Sequence, residues 1–124
     1  MAVVGLIIAG LVGVAIIIIG VLALAMPSNA AGFGIPGTRT DDPVFRSWLS
    51  VKSARDIASG VVLLALLATA SNPVIGVALL GFTLAPIGDA AAVLCARGPR
   101  GAAYGIHGAT AVVMLVGSFA LLLG

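Results

Sequence analysis

Four ionisable residues of this chain stand in or at the edge of otherwise apolar stretches. Arg55 and Asp56 lie in VKSARDIASGVVLLALL, Asp89 in PIGDAAAVL, and His107 in YGIHGATAVVML. Two carboxyls, a fixed cation and a titratable imidazole are the parts of acid–base catalysis. One acid activates water or abstracts a proton, and the other protonates a leaving oxygen. A guanidinium between the acids orients them and separates their pKa values, because like acids in one low-dielectric site do not both ionise easily. Arg55, Asp56, Asp89 and His107 are therefore the candidate catalytic set. Lys52, Ser59, Tyr104 and Thr110 are the candidate substrate-binding residues. Lys52, Arg55, Asp56 and Ser59 share one helix face by three- and four-residue spacing, and Tyr104, His107, Thr110 and Ala111 form a semi-polar stripe on another. An intramembrane charge costs about 2.5–3.5 kcal/mol on insertion scales, so a site is the default reading. The competing reading is a plain ion-pair network, Arg55 against Asp56 or Asp89, that pins helices together. One His and two Asp on three helices can form a facial metal set, but Arg55 in the same layer opposes a cation. No metal and no cofactor are expected.

The elements that position these residues follow from composition. The chain has 124 residues, of which 61% are hydrophobic and 8% charged, and its mean hydropathy is +1.29. A soluble domain is about one-quarter charged, so the expected class is an integral membrane protein. The net charge of +2 comes from six Lys and Arg with no basic face or interleaved aromatics, which excludes a nucleic-acid partner. Cys95 is the only cysteine, so no internal disulfide forms. Four apolar segments of about 20 residues each are expected as helices over 2–26, 46–70, 74–96 and 102–123, with a long loop over 27–45. The expected fold is all-α, a single-domain membrane four-helix bundle over 1–124. The first segment lacks a positive n-region and is too long for a signal-peptide core, so it reads as a true span. Every Lys and Arg sits in or beside the first and third connections. The positive-inside rule then places those connections in the cytoplasm, both termini on the non-cytoplasmic side, and the chain in the plasma membrane as a multi-pass protein.

Counting places the charges in depth. After Asp56 only Ile57 to Ala70 remain before the turn, about 21 Å at 1.5 Å per residue, short of a hydrocarbon core of about 30 Å. Arg55 and Asp56 are therefore drawn below the interface, while Lys52 can snorkel. Reflecting Asp56 through the turn at Asn72–Pro73 lands on Asp89, and reflecting Asp89 through Gly98 lands on His107. The ionisable residues thus share one layer in the cytoplasmic half. Pro86, three residues before Asp89, frees a backbone carbonyl and can kink that helix. GFGIPG in the long loop lies over the mouth of the layer, where Phe33 and Ile35 can act as apolar plugs of a lid; a solvated linker is the plainer alternative. Trp48 reads as an interfacial anchor.

The patches FGIPG, VKSARDIASGVVLLALLA, PIGD and AYGIHGATAVVML resemble the small four-span membrane family catalogued as domain of unknown function 4267. The resemblance covers nearly the whole chain beyond the first span. It implies a four-helix integral membrane fold and no particular activity. An Asp–Arg–Asp set is also similar to that of the limonene-epoxide hydrolase family, a soluble and unrelated fold, which is an analogy of chemistry alone. Two function classes stay open. One is an intramembrane acid–base enzyme that opens an epoxide, cyclises or isomerises a lipophilic small molecule. The other is a small proton- or solute-coupled transporter, for which so narrow a bundle needs a homo-oligomer; an accessory or structural subunit without chemistry is the third option. The expected partners are the bilayer, a lipophilic ligand and a second copy of the chain. The ion-pair layer predicts that Arg55→Ala lowers the melting temperature in detergent more than His107→Ala does, because it strands two buried acids.

Overall fold

The first helix of this chain sorts its apolar residues by size. In α1, Ala2–Ala25, the buried residues are Gly5, Ala9, Gly13 and Gly20, while Val3, Ile7, Leu11, Val14 and Ile18 face outward. A water-soluble helix does the reverse. In lipid, where acyl tails are as apolar as leucine, helices associate through small residues that let backbones approach.

The computed structural model describes every residue from Met1 to Gly124 and contains helices and turns only. After α1 come α2, Pro43–Thr69, α3, Asn72–Cys95, and α4, Arg100–Leu123. Three of these, α1, α3 and α4, are long and apolar enough to cross a membrane. The first half of α2 carries Arg46, Lys52, Arg55 and Asp56, and this helix packs alongside α1 over much of its length. Gly13 and Gly60 face one another there. A Cβ on Gly60 would lie 2.5 Å from Cγ1 of Ile17 and 2.6 Å from the Gly13 carbonyl oxygen, and one on Gly13 would meet Leu64. On its other side α1 meets α4, where Gly5 abuts Leu121 and the Gly117 carbonyl. The first half of α3 packs on the second half of α4, tied by a buried hydrogen bond of 2.7 Å that Ser118 Oγ donates to the Gly76 carbonyl. Ala9, Leu63, Ile75, Leu79, Met114 and Leu121 form the core where all four helices meet.

Away from that core the helices lose regularity. α3 is interrupted at Thr83, between Asn72–Phe82 and Leu84–Cys95. Pro86 is the cause: it has no N–H for the Phe82 carbonyl, and its ring crowds that oxygen. Thr83 mends the break from within, donating its hydroxyl to the Leu79 carbonyl at 2.8 Å. α4 is widened into a π turn over Ala103–Gly108, a stretch loosened by Gly105 and Gly108. The second half of α3 packs on this turn.

The long connection is partly built. Pro27–Phe33 forms a 3₁₀ turn, and α2 begins at Pro43 rather than at 46 because Asp42 caps it, accepting from the Val44 amide at 3.0 Å. Asp followed by Pro is a helix start, the side chain taking a free N–H and the proline pre-setting the first turn. The long loop expected over 27–45 thus carries a 3₁₀ turn and ends where α2 starts, at Pro43.

The glycine contacts make a direct test. Gly60→Ala should cost about 1–3 kcal/mol, the scale of overpacking a close contact. Gly81→Ala, whose Cβ would meet nothing within 4 Å, should be neutral or gain up to about 1 kcal/mol from helix propensity. Melting temperatures in one detergent compare the two.

Candidate functional site

Lys52 and Asp56 are one turn apart on α2, and Lys52 Nζ lies 2.6 Å from Asp56 Oδ2. Asp89 is carried by the second half of α3, just beyond the proline break. His107 is buried in the π turn of α4, and its Nδ1 lies 3.8 Å from Asp89 Oδ2. The other ring nitrogen, Nε2, is 2.9 Å from the main-chain carbonyl oxygen of Phe33. The Phe33 ring stands 4.4 Å from the imidazole, tilted by 49°, and Lys52 Nζ is 5.6 Å from its centre. Phe33 thus joins the α2 pair to the α3–α4 pair. The charged groups on the neighbouring helix that face Asp89 are Lys52 and Asp56.

Phe33 reaches this place because of the glycine after it. Gly34 has φ +107° and packs against Ala102 and Val93, a conformation that L side chains rarely adopt. Gly98 lies against the Gly34 carbonyl and leaves no room for a Cβ. The chain turning out of α3 therefore needs its glycine at 98, and Arg97 takes the left-handed position before it, at φ 58°. The Gly98 amide closes the turn on the Val93 carbonyl at 2.8 Å.

The structure brings Lys52, Asp56, Asp89 and His107 round Phe33, and it leaves the other candidates outside. Arg55 is exposed and makes no ion pair; the cation facing Asp56 is Lys52. One residue step turns a helix by about 100°, so Arg55 and Asp56 leave α2 in different directions. Arg55 does not pair with Asp56 or Asp89, so the ion pairing on which the expected ranking of Arg55→Ala above His107→Ala rested is not formed. Ser59 donates to the Arg55 carbonyl at 2.8 Å, within its own helix. Tyr104 is 61% exposed, and the exposed Thr110 donates to the Ile106 carbonyl at 2.8 Å. Ala103 and His107, four residues apart, face inward together, and the wider π turn shifts Tyr104 away from the face of His107.

Two surface hollows lie elsewhere. One is lined by Met1, Val112, Val116 and Phe119 among others, the second by Gly105, Ile106, Ala109, Thr110 and Val113. Asp56, Asp89 and His107 line neither. No three His, Cys, Asp or Glu side chains converge as metal ligands. Sequence reasoning missed the Phe33 carbonyl and the role of Gly34. The glycines on both sides of Phe33 were the available signal. It also missed Ser53, whose Oγ is buried without a protein partner on the α2 face that meets Gly20.

A family model described as Domain of unknown function (DUF4267) matches residues 13–121. No curated protein and no solved structure matches the chain.

The ion pair on α2 and the free Arg55 predict opposite outcomes for two cations. Lys52→Ala should cost more than about 0.5 kcal/mol, the upper value for an exposed helical pair, and up to about 3 kcal/mol if Asp56 is left alone in lipid. Arg55→Ala should stay within about 0.5 kcal/mol of the parent. Thermal unfolding in detergent reads both.

Proposed function

The chain belongs to the DUF4267 family, and we propose that it is a four-span plasma-membrane protein whose Asp89–His107 pair performs acid–base chemistry on a lipophilic small molecule. In this reading α2 is the fourth span. Its close packing on α1 supports that, as does the snorkelling reach of Lys52 toward the interface. The Lys and Arg residues cluster in the two connections at one end, which supports a cytoplasmic face for those connections and both termini outside.

The observation that carries the chemistry is the pairing itself. Asp89 has a side chain 35% exposed and is backed by an imidazole only 10% exposed, which is held from behind by a main-chain carbonyl. A reachable acid, a buried base behind it and a third group that orients the base form the arrangement that proton transfer needs. Asp89 takes or gives the substrate proton, His107 exchanges it, and the Lys52 ammonium offers a cation for charge developing on an oxygen. Double-bond isomerisation proceeds by such transfers. Epoxide opening also needs a water to form the new C–O bond as the ring C–O bond breaks, and cyclisation an internal nucleophile, each with its proton handled by the pair. The transport reading has less support. The far-end cluster Ala9, Leu63, Ile75, Leu79, Met114 and Leu121 carries no ionisable group, and the buried Ser118 hydroxyl beside it is engaged by the Gly76 carbonyl, so the ionisable cluster stands toward one end of the bundle.

Mass spectrometry of lipophilic extracts from cells producing the parent, Asp89→Asn or Arg55→Ala tests the chemistry. Asp89→Asn should lose conversion by about 100-fold or more, the scale of a general acid–base group, while Arg55→Ala keeps it within a few-fold. Identical extracts from the parent and Asp89→Asn would overturn the reading. Orientation is tested on the native chain, whose single cysteine, Cys95, is exposed. A membrane-impermeant maleimide should label inside-out vesicles and spare intact cells; labelling of intact cells would reverse the assignment.

A further inference from the structure

His107 is the only histidine of the chain, and its two ring nitrogens meet partners of different kinds. The Phe33 carbonyl, 2.9 Å from Nε2, can only accept. Nε2 therefore carries a hydrogen and donates it whenever this contact is made. A neutral ring then has a bare lone pair on Nδ1, which points toward Asp89 Oδ2 at 3.8 Å. An ionised Asp89 would set lone pair against lone pair. The contact becomes attractive when one further proton is present, either on Asp89 as the acid or on Nδ1 as imidazolium. A closure of about 1 Å would bring it to charge-assisted hydrogen-bond length. The charged groups facing the pair are Lys52 and Asp56 of α2.

The acceptor that imposes this order is backbone, and its position depends on one residue. Gly34 holds φ +107°, and a Cβ there would stand 2.8 Å from the Ala102 Cβ and 3.2 Å from Val93 Cγ1. An alanine at 34 would strain the backbone and push the loop away from α3 and α4, taking the Phe33 carbonyl with it. The Phe33 side chain has a separate part, stacking beside the imidazole.

We infer that Gly34 and the main-chain carbonyl of Phe33 are positioning elements that hold His107 as the Nε2–H tautomer, so that the Nδ1 lone pair is left free on the side of Asp89. The inference rests on the acid–base reading for its use in a reaction, but its test reads the imidazole directly. Once the carbonyl is withdrawn, nothing retains hydrogen on Nε2, and the Asp89 carboxylate draws it to Nδ1.

Nitrogen-15 histidine labelling gives the signals of this one ring in detergent or lipid. At alkaline pH, with the ring neutral, the parent should show a pyrrole-type Nε2 and a pyridine-type Nδ1. Gly34→Ala should invert the pattern, with the Nε2–H population falling several-fold. Phe33→Leu, which keeps the carbonyl and removes the ring, should leave the pattern as in the parent. An Nδ1–H ring in the parent, an unchanged pattern in Gly34→Ala, or an inverted one in Phe33→Leu would each overturn the inference. If Gly34→Ala does not fold, the parent and Phe33→Leu spectra decide. Extracts unaltered by Asp89→Asn beside the expected spectra would count against the reaction and leave the tautomer assignment standing.

Discussion

In hydrocarbon, a leucine buried against a neighbouring helix gains little over one left against an acyl tail. Cohesion has to come from how closely backbones approach and from the few polar bonds made across helices. This constraint shapes the bundle. Gly13 against Gly60 and Gly5 against Gly117 bring main chains together, and the Ser118 hydroxyl on the Gly76 carbonyl supplies the directional contact. Beyond the central cluster of Leu63, Ile75, Leu79, Met114 and Leu121, many large aliphatic residues turn outward. An apolar fraction far above that of a soluble chain is then the ordinary surface of a molecule whose solvent is lipid.

Such cohesion fades toward the charged end. The second half of α3 leaves α2 and packs on the π turn of α4, and the connection after α1 bends down to place Phe33 between them. Three departures from regular helix coincide there: the break at Thr83 before Asp89, the π turn that turns His107 inward, and the left-handed Gly34 that seats Phe33. Each has a local cause in Pro86, in Gly105 and Gly108, and in Gly34 itself. The far half of the bundle is regular and apolar, and the near half is irregular and polar. Irregular backbone inside a membrane is tolerated where protein surrounds it or a polar space meets it, and π turns are frequent at functional sites.

Much of this was legible from residue order alone. Hydropathy marked the helical segments, and reflection through the two short turns brought Asp56, Asp89 and His107 to one level, because antiparallel helices of equal rise keep equal depth. The loop carrying Phe33 and Ile35 could be read as a lid over that level, with a solvated linker as the alternative, from its length and position alone. Direction was harder to read than depth. Arg55 and Asp56 are neighbours in sequence and both polar, so composition does not say which of them turns inward; the answer lies in how α2 packs on α1. Tyr104 fell outside because a π turn changes the spacing that links it to His107, and Thr110 turns outward and bonds its own helix. The Phe33 carbonyl was invisible for a different reason: every residue has one, and only the fold shows which of them meets a side chain.

The apolar plug formed by Ala9, Leu63, Ile75, Leu79, Met114 and Leu121 has a bearing on energy supply. Its side chains carry no group that relays a proton, and the one hydroxyl beside it, Ser118 Oγ, is engaged by the Gly76 carbonyl. On the acid–base reading proposed above, the imidazole and its acid would exchange protons on the side of the Phe33 loop, and a reaction there would draw nothing from an acidity difference across a membrane.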